Sequence, residues 1–199
     1  MTGSAVAAFN TDHLNQLIHA RRSVFIPQFE PGKTIPDAII HQLLENANNA
    51  PTHKLTEPWR FTVFTGNGLE ILADKQAAIY KSAAGQKFKQ AKYEQMLITP
   101  MLCSHVIAIG LKRHPEVPEM EEIAAVACAV QNIYLTATAY GIGGYWSTGG
   151  ITYLEPAKAL FNLAPEDKLM GFFYLGYVRV PSLPRIPQPI EKKVTWVRG

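Results

Sequence analysis

Arg21-Arg22-Ser23 sets two guanidinium groups and a hydroxyl side by side, a set able to hold a phosphate through charge-assisted, bidentate hydrogen bonds. The same residues would also suit the cationic end of a helix, where the dipole favours positive charge. The run from Ala50 to Trp59, APTHKLTEPW, holds the donors Thr52, His53 and Lys54 between Pro51 and Pro58. Such a loop could edge a planar polar ring, or simply connect two elements with Trp59 in the core. Gly143 to Gly150, GGYWSTGG, would let backbone approach another group closely, and turn chemistry explains its outer glycines equally well. Arg185, between Pro184 and Ile186, could add a third cation to a phosphate site or stand in solvent.

Other machineries lack their local signatures. The chain has no H-E-x-x-H, no C-x-x-C pair and no G-x-S-x-G, so no metal site and no serine hydrolase is expected. A dinucleotide fingerprint starting at Gly141 would need glycine where Trp146 stands, and its glycines follow a helix, which argues against a Rossmann site. The formal charge of +3 is spread along the chain, which fits an anionic small ligand and not nucleic acid. The N-terminal sequence lacks a secretory pattern and no run reaches the ~18 apolar residues of a membrane span. The expected location is cytoplasmic. Cys103 and Cys128 both lie in apolar stretches and are expected as buried free thiols.

These residues need elements to position them. With 199 residues, 47% hydrophobic and 18% charged, the chain can bury one substantial core, and one domain over 1–199 is expected, with 1–8 flexible. Leu14, Leu17 and Ile18 at helical spacing predict a helix from Thr11 to about Ala20, capped by Asn10 or Thr11, that delivers Arg21. A second helix follows Pro36, with Ile39, Ile40, Leu43, Leu44 and Ala47 on one face. Trp59–Phe64 reads as a strand, and 68–98 as mainly helical with a break near Gly85. Met101–Leu111 fits a central strand or a buried helix. The longest helix should run from Pro118-Glu119 to about Tyr140. Its early acids suit the helix dipole, and its alanines allow close helix packing. A short strand at 145–147, a brief helix near 156–160 and a strand at 169–180 complete the core. The tail, with four prolines from Pro181 to Pro189, ends in a strand-like run from Lys193 to Val197. The class is α+β.

In this order and separation, the R-R-S, the A-P-T-x-x-x-x-E-P-W loop, the helix ending in G-I-G-x-x-W and the late arginine resemble the FMN-dependent nitroreductase family, in its small, compact branch. The resemblance covers nearly the whole chain. It implies a nitroreductase-like fold with a central, mainly antiparallel sheet packed by helices. It also implies a homodimer with FMN at the interface, embraced by a C-terminal extension, 181–199, that crosses to the partner. By position, Arg21, Arg22, Ser23 and Arg185 would meet the FMN phosphate and ribityl chain. Pro51, Thr52, His53 and Lys54 would come from the opposite subunit. Ser147, Thr148, Gly149 and Gly150 would pass the reactive edge of the flavin, with Pro58 and Trp59 supporting from behind. Phe25 stands where many members carry a basic residue, Leu55 where they carry asparagine, and Glu57 where glutamine is more usual. Lys54 or a lysine between 81 and 92 is left to put positive charge near the flavin pyrimidine edge.

The implied chemistry is a ping-pong transfer of reducing equivalents from NADH or NADPH to a nitroaromatic, quinone or similar small electrophilic acceptor. The cofactor performs it, and no side chain is needed as nucleophile. The alternatives are a specialised flavin reaction, such as dehalogenation or flavin fragmentation, and a flavin-binding dimer without turnover.

Overall fold

In the computed structural model residues 9–199 are described; the flexibility expected of 1–8 lies outside the described residues. Four strands, β1 (Trp59–Thr65), β2 (His105–Leu111), β3 (Ile142–Ser147) and β4 (Lys168–Tyr177), form one antiparallel sheet in the order β1-β2-β4-β3. The ambiguous stretch at 101–111 is thus strand from His105 onward, after a short 3-10 turn over Thr99–Leu102. Every residue of β2 is buried, because the strand is central and both faces are covered; the run HVIAIGL accordingly lacks polar alternation.

On one face lie α2 (Asp37–Asn48) and α5 (Glu119–Ala139), whose Ile40, Leu43, Val126, Val130 and Ile133 pack on Ile107, Ile109, Phe173 and Leu175. On the other lie α3 (Asn67–Ala83), α4 (Gln90–Ile98) and α6 (Glu155–Leu160), packed on Val106, Phe172 and Tyr174. Phe172 and Phe173 alternate along β4 and anchor the two layers; full burial of each contributes about 1.5–3 kcal/mol. The expected break near Gly85 is the 3-10 turn Gly85–Lys87 between α3 and α4. The described helices include none long and apolar enough to cross a membrane.

Among the described residues, the surfaces of two helices are left without cover in the single chain. Helix α1 (Thr11–Ala20), capped by the Asn10 side chain, buries no residue, and its Leu14 and Ile18 are exposed. On α5, Met120, Ala124, Cys128, Gln131 and Ala139 form an exposed stripe at helical spacing. Cys103 is buried as expected, but Cys128 is exposed: its apolar neighbours in sequence face the sheet while it faces outward. The tail differs from expectation too. Lys193–Val197 pairs with no strand, a 3-10 turn occupies Ile190–Lys193, and Leu183, Ile186, Trp196 and Val197 are exposed. A strand needs a neighbouring edge, and the described residues lay none beside the tail within the single chain.

Candidate functional site

Helix α1 ends at Arg21, and the next residues join the outer edge of β3. Ser23 forms a parallel bridge with Gly144, and Val24 N donates to Gly144 O at 2.9 Å. The R-R-S corner and the glycine-rich strand are therefore one structure, although about 120 residues separate them in sequence.

Tyr134 of α5 joins the two. Its hydroxyl accepts from Trp146 N at 2.8 Å and lies 3.4 Å from Ser23 Oγ, and the Arg21 guanidinium sits 5.0 Å from its ring centroid. Nothing in the sequence marked Tyr134 out except that it is an aromatic with a polar tip on an alanine-rich helix. Arg22 is turned differently: Nη1 donates to the carbonyls of His19 and Arg21, so it caps α1, the local role that the helix end favours. The tail enters at the same corner. Gln28 Nε2 donates to Val180 O at 3.0 Å and Ser182 Oγ donates to Ser23 O at 3.0 Å. Arg185 follows Ser182 by three residues, within ~10 Å of chain, and is exposed. Among the described residues Arg21, Arg22 and Arg185 have no carboxylate partner.

From Gly144 the strand runs three residues to Ser147, ~10 Å along β3. There Ser147 and Gly150 line a cavity of about 280 Å³ with Ile26, Lys92, Met96 and Tyr145. An adjoining cavity of about 510 Å³ shares Ile26, Gln95, Thr99 and Tyr145 with it and extends under Phe25 and α4. Together they make a trough of the size of small-molecule sites. Thr148 faces the other side of the loop, into a cavity of about 370 Å³ beside Trp146, Ile123 and Lys168. Gly150 has φ +68, so it is a turn glycine, whereas a Cβ at Gly144 would stand 2.6 Å from the Phe173 ring. Tyr174, under the trough, is buried, and burial raises its phenol pKa and keeps it neutral.

Residues Pro51 to Lys54 are not brought to this corner within one chain. His53 Nδ1 meets Glu121 Oε2 at 3.2 Å and Lys54 Nζ donates to Glu116 O at 3.4 Å, so the loop sits at the start of α5. Tyr134 lies 13 residues further along α5 than Glu121, or ~20 Å at the helical rise. The loop is held tightly in unusual backbone. Lys54, Leu55 and Glu57 have φ of 51, 54 and 43, each costing about 1–3 kcal/mol for a residue with a Cβ. Thr52 Oγ1 accepts from Glu57 N at 3.2 Å and Trp59 Nε1 donates to Asn48 Oδ1 at 2.9 Å, which fixes the loop against α2. Strain so placed points to a loop whose shape matters for more than connection.

A sequence profile of the Nitroreductase family matches residues 18–177. The chain belongs to the Nitroreductase family. It is 29% identical over 152 residues to YdjA of Escherichia coli (strain K12), a protein named as an NAD(P)H nitroreductase, covering 75% of this chain and 81% of the relative. It is 28% identical over 165 residues to YfhC of Bacillus subtilis (strain 168), named likewise, covering 82% and 84%. The nitroreductase-like family fold is seen in a crystal structure from Bacillus cereus at TM-score 0.80 and 23% identity, over 98% of this chain and 100% of that one. It recurs in the FMN-dependent nitroreductase NfnB of Mycobacterium smegmatis, solved in complex with NADPH, at TM-score 0.71 and 18% identity, over 94% and 99%. A Desulfovibrio desulfuricans protein solved in complex with FMN matches at TM-score 0.68 and 21% identity, over 94% and 97%.

Proposed function

We propose that this member of the Nitroreductase family is a single-domain, FMN-dependent oxidoreductase. It passes reducing equivalents from NAD(P)H to nitroaromatic, quinone or similar small electrophilic acceptors, and it works as a homodimer. The observation that carries this reading is the junction at Tyr134. There, cations without carboxylate partners stand at one end of β3, and a trough of ring-holding size opens ~10 Å away at the other.

The residues fit the group. Arg21, Ser23 and Arg185 would hold a phosphate and the start of a ribityl chain, and Arg22 would join by releasing the α1 carbonyls. Ser147 and Gly150 would line the ring, with Thr148 and Gly149 carrying backbone past its edge. Met96, Tyr145 and Ile26 offer apolar surface to the body of the ring, and Lys92 is the cation lining that cavity. It takes the place of the basic residue that Phe25 does not supply. When bound, FMN would supply the hydride chemistry that links NAD(P)H oxidation to reduction of the acceptor in a ping-pong cycle. The protein contributes orientation, a cation near the polar edge and exclusion of bulky competitors.

The exposed stripe of α5, the uncovered face of α1 and the apolar side chains of the tail support a second copy as their cover. A two-fold axis crossing α5 near its middle would lay the start of one α5 beside the end of the other. That would bring Pro51, Thr52, His53 and Lys54 of the second copy to the corner at Arg21, with 181–199 embracing the partner. Titration of flavin-free protein with FMN tests the site. Saturable binding, weakened about 10- to 100-fold by Arg21→Ala through loss of a charged hydrogen bond, is expected. No uptake of FMN would overturn the reading.

A further inference from the structure

Between Lys75 and Tyr93 the chain carries five lysines and no acidic residue. Four of them gather around one aromatic cluster. Tyr80 stacks on Phe88 with centroids 5.7 Å apart, and Phe88 meets Tyr93 at a tilt with centroids 6.0 Å apart. Lys92 Nζ stands 4.8 Å from the centroid of Tyr80 and Lys81 Nζ 5.8 Å from that of Tyr93. The Tyr80 hydroxyl donates to Lys87 O and accepts from Lys89 N at 3.0 Å, which pins the turn bearing Lys87 and Lys89. Among the described residues none of the four pairs with a carboxylate. The nearest acid in sequence on α4, Glu94, accepts from Gln90 at 2.8 Å. Lys92 lines the trough with Ser147 and Gly150, so this positive platform begins at the trough wall and runs outward along α4 and the turn before it.

We propose that Lys81, Lys87 and Lys89, outward of Lys92 at the trough wall, receive the phosphates of the reducing dinucleotide and so favour NADPH over NADH. The proposal rests on the reading of the trough as the flavin site. A donor whose nicotinamide reaches the ring must lay its pyrophosphate across the rim, and the rim is cationic from Lys92 outward, with Glu94 in the adjoining cavity as the acid on the α4 side. Nitroaromatics and quinones bring no charge for it to meet. The 2′-phosphate of NADPH adds about −1.5 to −2 charges, as a phosphate monoester does near neutrality, and the exposed end of the platform at Lys87 and Lys89 has no other anion to hold.

The test uses FMN-loaded protein and measures binding of NADP+ and NAD+ by calorimetry, alongside FMN content and melting temperature. In Lys87→Gln/Lys89→Gln protein, NADP+ binding should weaken about tenfold, the worth of two surface ion pairs. NAD+ binding should change by less than about threefold, and the salt dependence of NADP+ binding should become shallower. Flavin content should be unchanged, and Lys87→Arg/Lys89→Arg should restore NADP+ affinity. Unchanged NADP+ affinity in protein that holds FMN would overturn this proposal alone, including when an anionic acceptor is the only ligand weakened. Parent protein that takes up no FMN would overturn it together with the reading of the trough.

Discussion

Replacing Tyr134 by Phe removes one oxygen and keeps the ring. The packing on Phe173, at 4.5 Å between centroids, and the Arg21 guanidinium over the ring face both survive. What is lost is the acceptor for Trp146 N. That amide lies on the outer side of an edge strand, half-buried beneath the R-R-S corner, and among the described residues Tyr134 is its acceptor. Leaving a buried donor unpaired costs about 1–3 kcal/mol, and partial exposure favours the lower part, about 1–2 kcal/mol. For a chain of this length the melting temperature should fall by about 2–8 °C, with FMN affinity reduced because the corner and strand are less firmly joined. Thermal unfolding followed by circular dichroism measures the first effect, and fluorescence titration the second. Tyr134→Leu should lose more, since the ring contacts go too. A Tyr134→Phe protein melting within about 1 °C of the parent would refute Tyr134 as the link between the two halves of the site.

Other outcomes follow from the same geometry. His105 is fully buried, its Nδ1 is 2.8 Å from Ser104 Oγ, and its Nε2 is 3.5 Å from Asp37 Oδ1 without a hydrogen bond. Burial lowers its pKa below the ordinary imidazole value, with Asp37 opposing. The unfolded chain therefore takes up the proton first, and stability present above pH ~6.5 should be lost as pH falls from there through the depressed value. Urea midpoints at pH 7.5 and 5.5 should separate less in His105→Gln. Gly171 has φ +113 and a Cβ there would stand 2.3 Å from Ser147 O, so Gly171→Ala should destabilise by about 3 kcal/mol or more. Gly149→Ala, whose nearest neighbour is Ser147 Oγ at 3.4 Å, should melt close to the parent. A thiol reagent should spare Cys103, whose pKa burial pushes up to about 12, until the chain unfolds. Cys128 should react faster on dilution, as a dimer joined through α5 dissociates; a rate independent of protein concentration would count against that interface.

The elements were legible because each had a periodic pattern and punctuation. Pro36, Pro118 and Gly141 mark ends close to those of α2 and α5, and WRFTVF marks β1. The R-R-S corner and a short strand at 145–147 could be named separately, but the strand begins three residues earlier, at Ile142, and its union with Ser23 through Gly144 depends on a long-range bridge that local pattern does not encode. Tyr134 was missed for the same reason. Cys128 read as core because the apolar stretch around it does not tell which face of the helix meets the sheet, and Cys128 lies on the exposed one. Arg22 follows the local preference of a helix end, which can be stated from sequence but not ranked against a ligand. The positive φ of Lys54, Leu55 and Glu57 has no sequence signal, since residues with a Cβ rarely adopt it. The lysines between 81 and 92 could be marked from sequence as a source of positive charge, but their gathering around Tyr80 and Phe88 depends on the fold.

The most direct measurement is the visible spectrum of the FMN-loaded protein before and after anaerobic addition of NADPH or NADH. A band near ~450 nm that bleaches with either nucleotide and returns when a quinone or nitroaromatic is added is the expected result. A bound flavin whose band neither nucleotide bleaches would contradict the proposed oxidoreductase and leave a dimer that holds FMN without turning it over.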